Sequence, residues 1–76
     1  MPMKFWRLKL KGERSADEVQ SAIGRSGANL VRVHFEGGET QVYFTAEKSA
    51  ASEAAKATKE AVTPEEVSAR EVTKFS

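Results

Sequence analysis

The stretch LVRVHFEGGETQVYFTA, Leu30 to Ala46, decides the fold. Val31, Val33 and Phe35 alternate with Arg32, His34 and Glu36, and Val42, Phe44 and Ala46 alternate with Gln41, Tyr43 and Thr45. A period of two marks a strand with one buried face. Between the two runs stands Gly37-Gly38, a dipeptide suited to the positive φ angles of a two-residue type I′ turn. That turn pairs Glu36 with Glu39. It therefore sets Val33 opposite Val42 and Val31 opposite Phe44, so both apolar sets share one face. The other face pairs Arg32 with Tyr43 and His34 with Gln41.

Working outward, KFWRLKLK (Lys4 to Lys11) alternates in the same way. Trp6, Leu8 and Leu10 point to one side, and Phe5, Arg7, Lys9 and Lys11 to the other. Gly12 ends this strand. Ser15 followed three residues later by Glu18 is a capping box, and Val19, Ala22 and Ile23 form a narrow apolar stripe. A helix is expected over residues 16–26, stopped by a left-handed Gly27. Beyond the hairpin, residues 49–62 are rich in alanine and charge, with no glycine or proline, and read as a second helix. Its shallow stripe is Ala51, Ala54, Ala55, Thr58, Ala61 and Val62. Thr63-Pro64-Glu65-Glu66 suggests a cap with proline at the first helical position and one tight turn. Val67 to Phe75 is expected to form a last strand.

The resulting order is strand, helix, strand, strand, helix, strand. Its natural packing is a ferredoxin-like α+β sandwich, a four-stranded antiparallel sheet with both helices on one face. Residues 1–76 read as one such domain.

Composition narrows the chemistry. The chain has no cysteine, which excludes disulfides, thiolate metal sites and cysteine nucleophiles and favours a reducing, cytoplasmic setting. No apolar run is long enough for a helical membrane span. Net charge is only +1, but it is unevenly spread. Lys4, Arg7, Lys9, Lys11 and Arg14 against Glu13 give the first fourteen residues +4, leaving −3 for the rest. The single histidine and single aspartate have no identifiable catalytic partner, and Ser15 is a cap. Neither Gly24-Arg25-Ser26-Gly27 nor Gly37-Gly38 matches a phosphate loop or dinucleotide fingerprint. The chain is expected to be non-enzymatic, with no catalytic residue, metal or cofactor.

From Gly12 to Phe44 the layout is similar to that of heavy-metal-associated domains: a glycine after the first strand, a short loop, a helix and a hairpin. Where those domains carry two cysteines, this loop reads Glu13-Arg14-Ser15-Ala16-Asp17, so the likeness is one of topology and implies no soft-metal site.

In the expected sheet the first and third strands are central. The face away from the helices would display Phe5, Arg7, Lys9 and Lys11, then Tyr43, then Arg32 and His34. Rings among cations bind single-stranded RNA or DNA, bases stacking while cations follow phosphates. The arrangement resembles RNA-recognition motifs, which show aromatics on the same two strands. The third strand, Thr40-Gln41-Val42-Tyr43-Phe44-Thr45, lacks their glycine-containing consensus. The blander expectation is a solvated basic strand, with Arg32 stacked on Tyr43. A third is association with a protein partner or a second copy, as in regulatory ACT-type domains, through exposed Phe5, Leu30 and Tyr43. A basic face repels its own copy, so a face-to-face homodimer needs interleaved acids, which Glu65, Glu66 and Glu71 could supply.

Overall fold

The computed structural model describes residues 3–60 and 62–73. The hairpin forms as its glycines require: strands β2 (Asn29–Glu36) and β3 (Glu39–Ala46) are joined by Gly37 and Gly38 at φ 62° and 77°. Both angles are positive, as in a type I′ turn. Glu36 pairs with Glu39, His34 with Gln41, Val33 with Val42 and Arg32 with Tyr43. The expected pairing of Val31 with Phe44 fails. The register shifts between Leu30 and Arg32, so Leu30 stands opposite Phe44. Val31 is the extra residue of a bulge and is 48% exposed. The insertion gives the larger Leu30 the place against the core and turns Val31 outward.

Strand β1 (Lys4–Lys11) pairs antiparallel with β3 along its whole length. On its other side it pairs with the short strand β4 (Glu65–Val67), and the sheet order is β2-β3-β1-β4. Trp6, Leu8 and Leu10 are buried, as the alternation predicts. The Trp6 indole N–H donates to the Ala46 carbonyl at 2.9 Å, which satisfies its polar atom inside the core. The chain leaves β1 through Gly12 at φ 77°. The buried Thr40 hydroxyl donates to the Gly12 carbonyl at 2.5 Å and accepts from the Arg14 N–H at 3.0 Å. One side chain of β3 thereby fixes the exit of β1 toward the first helix.

That helix, α1 (Ala16–Gly24), starts at the expected cap, where Ser15 Oγ accepts from the Glu18 N–H at 3.1 Å. It stops two residues short of Ser26, with Gly27 at φ 86° just beyond. Helix α2 (Lys48–Ala57) is shorter than the expected 49–62. The Thr58 hydroxyl donates back to the Ala55 carbonyl at 2.7 Å, and Lys59 takes a left-handed φ of 62°. Both features close the helix, since a left-handed residue cannot continue it. Val62 still packs against the core, and Ala61 lies outside the described residues.

The tail departs most from expectation. Thr63 to Glu66 is not a helical turn, because Glu65–Val67 is β4 just after Pro64. Val67 to Phe75 is not a strand, because Ala69–Thr73 is a helix, α3. Ser68 opens it, its Oγ accepting from the Glu71 N–H at 3.4 Å. Phe75 lies outside the described residues. The element order is therefore β-α-β-β-α-β-α, an α+β chain with a four-stranded antiparallel sheet.

One face of the sheet carries the core. Trp6, Leu8, Leu10, Val42 and Phe44 meet Val19 and Ile23 of α1 and Ala51, Ala54 and Ala55 of α2. Alanines on α2 let its backbone approach the sheet closely. Among the described residues, two buried apolar side chains stand outside this cluster, Tyr43 and Val72. Tyr43 lies on the second face, beside Arg7 and Arg32. No helix among the described residues is long and apolar enough to cross a membrane.

Candidate interaction surface

The register lays out the second face row by row. Arg32, Tyr43, Arg7 and Glu65 lie side by side across four strands. His34, Gln41 and Lys9 form the next row, and Glu36, Glu39 and Lys11 the one at the hairpin end. On the other side of the arginine row stand Asn29, Thr45, Phe5 and Val67. All seven expected surface residues, Phe5, Arg7, Lys9, Lys11, Arg32, His34 and Tyr43, thus share one face.

Their exposure corrects the expectation. Tyr43 was to be an exposed ring, yet it is fully buried, at 0% exposure. Arg7 lies over the ring, its guanidinium carbon 5.9 Å from the centroid, and its Nη1 donates to the Tyr43 hydroxyl at 3.4 Å. The hydroxyl in turn donates to Gln41 Oε1 at 3.2 Å. Helix α3 borders the same face: the Glu71 carboxylate is 3.8 Å from Arg7 Nη1, and Val72 of that helix is buried. Leu30, also expected to be exposed, packs against the core from the bulge. Phe5 is only half-buried.

The basic character is diluted as well. Arg7 Nε and Nη2 donate to Glu65 Oε1 at 2.9 and 2.6 Å. The Tyr43 hydrogen bond first, and the Glu65 carboxylate second, hold this guanidinium above the usual arginine pKa. Lys4 pairs with Glu66 at 3.5 Å, and Arg14 with Glu60 at 2.5 Å and Glu18 at 3.5 Å. The acids expected to interleave with a second copy, Glu65, Glu66 and Glu71, thus pair with Arg7 and Lys4 of their own chain. Lys9 and Lys11 remain exposed cations of this face.

His34 stands at the surface, its Nε2 3.2 Å from the Glu36 carboxylate. This pair orients the ring on an edge strand. Among the described residues, no cluster of three or more histidine and carboxylate side chains is placed to hold a metal ion. A groove lined by Leu10, Arg14, Glu18, Val19, Ala22 and Thr58 runs between α1 and the end of α2. Of its charged groups, Arg14 and Glu18 are paired with each other, and Lys59 lies at the α2 end.

A feature the sequence reading missed lies at the rim. β2 is an edge strand, paired on one side only, and Phe35 on it is 46% exposed. Alternation assigned Phe35 to the core, but it stands on the edge strand next to the hairpin turn and is left outside the core cluster. Compared with family models, curated proteins and solved structures, the chain matches none.

Proposed function

We propose that this chain is a non-enzymatic interaction module that engages a protein through its sheet, built on a ferredoxin-like frame. The frame is supported by the sheet read from its other edge, β4-β1-β3-β2, with α1 and α2 on one face and α3 added at the end. The single observation that carries the function is the contrast in exposure. Tyr43, the ring that would stack on bases, is buried, whereas Val31 and Phe35 on edge strand β2 are exposed apolar side chains. Exposed apolar groups beside an unpaired strand edge suit a protein partner, because backbone hydrogen bonds supply affinity and side chains specificity.

Single-stranded nucleic acid is the second reading. It is favoured by one observation, that Lys9 and Lys11 are exposed on the face that also carries Phe5. A titration with short single-stranded RNA and DNA at two salt concentrations separates the two. The protein-binding reading predicts no saturable complex even at low salt. A complex whose affinity falls with salt by about 0.7 log units per neutralised phosphate would replace it with the nucleic-acid reading.

A further inference from the structure

We infer that the partner is a second copy of this chain, docked antiparallel along the outer edge of β2 with His34 on the two-fold axis. This rests on the reading that the sheet engages a protein, and it adds which protein, which edge and which register. In a type I′ hairpin the residues flanking the turn form a hydrogen-bonded pair, and hydrogen-bonded and open pairs then alternate. Glu36, His34 and Arg32 therefore direct their backbone groups toward β3. Val33 and Phe35 direct their N–H and C=O groups outward, to the free edge. The bulge between Leu30 and Arg32 ends the regular ladder, so the usable edge is Arg32 to Glu36, and its midpoint is His34.

A two-fold through His34 sets Val33 opposite Phe35 of the other copy, and Phe35 opposite Val33. These four residues are the ones whose backbone groups point outward, so four hydrogen bonds close across the axis. Both pairs lie on the helix side, where the apolar surface of Phe35 leaves water. On the other side Arg32 meets Glu36 of the second copy, twice, with opposite charges. Sliding the axis to Val33 sets Arg32 against His34 and drives Glu36 into the bulge. Sliding it to Phe35 sets Val33 against turn glycine Gly37 and Arg32 against Gly38. The hydrogen-bond parity allows all three registers; only the one centred on His34 also matches apolar with apolar and plus with minus.

The chain has no cysteine, so single-cysteine variants read the register directly. Sedimentation equilibrium of the intact chain comes first and should show a monomer–dimer equilibrium. Under mild oxidation His34→Cys should then form a disulfide dimer at least about tenfold faster than Val33→Cys or Phe35→Cys. The reason is that directly opposite residues fall within disulfide reach, while diagonal ones are roughly 7–8 Å apart. Charge exchange gives a second, independent readout. Arg32→Glu and Glu36→Lys should each weaken self-association by at least about tenfold, and an equimolar mixture of the two should restore it as a heterodimer. Circular dichroism on each variant establishes that it folds. A dimer that links faster through Val33→Cys or Phe35→Cys overturns the inferred register and leaves the protein-binding reading standing. A chain that stays monomeric, with no His34→Cys link, overturns the second copy as partner. In that case the nucleic-acid titration alone decides the broader reading.

Discussion

The two faces of the sheet are made from the same three long strands, yet they are buried by different physics. On the helix side, Leu8, Val42 and Phe44 are at 0% exposure among other apolar groups. Tyr43 on the other side is equally inaccessible, but it meets a guanidinium and an amide, and the guanidinium is in turn paired with Glu65. One face is closed by apolar area, which is non-directional and tolerant of salt. The other is closed by hydrogen bonds and charge over one ring, with the five-residue helix α3 alongside. The comparison teaches that alternation in a strand tells which side a residue faces and nothing about what covers that side.

The sharpest way to break this comparison is to remove volume from each face in turn. Phe44→Ala should cost about 3–5 kcal/mol in urea unfolding, a large part of the stability of a small domain. Tyr43→Phe keeps the ring and deletes the hydroxyl that joins Arg7 to Gln41; it should cost about 1 kcal/mol. If Tyr43→Phe proves as damaging as Phe44→Ala, the second face is a polar core in its own right. Val72→Ala tests the cover contributed by α3 and should cost about 1 kcal/mol, with little change in the unfolding slope. A neutral result would mean that α3 does not close the face. On the helix side, Lys59→Gly should stabilise by about 1 kcal/mol, since Lys59 holds a left-handed φ that glycine adopts without strain. Smallest of all, Glu65→Gln should cost at most about 0.5 kcal/mol, because the carboxylate is half exposed, and the effect should shrink further in high salt.

Much of the helix side was legible in the sequence. The alternation of Trp6, Leu8 and Leu10, the capping box at Ser15, and the diglycine turn all point to one arrangement, and each is a local signal. The bulge was not legible, because Val31 continues the alternation without a break. Only the competition between Leu30 and Val31 for the place opposite Phe44 decides it. The end of α2 was obscured by helix-favouring composition that runs on to Val62, while the stop lies in a threonine back-bond and a left-handed lysine. The last helix did have a signal: Ser68 and Glu71 repeat the serine-to-glutamate spacing of Ser15 and Glu18. It was masked by Val67, Val72 and Thr73, whose β-branching favours a strand. The same miss hid Glu71 beside Arg7, the cation that lies over Tyr43. With the tail taken as a strand, nothing remained to cover the second face, so its ring and cations looked open.

Tyr43, the single tyrosine of the chain, reports directly on how the second face is covered. Native protein treated with tetranitromethane and followed by intact mass tests whether Tyr43 is reachable. With no cysteine present, the competing thiol oxidation does not arise. The account predicts negligible nitration under native conditions, full nitration in denaturant, and intermediate reactivity after truncation at Ser68, which removes α3 and leaves Arg7 over the ring. Rapid nitration of the native chain would contradict it, returning Tyr43 to an open face and restoring nucleic-acid stacking as the leading use of the sheet.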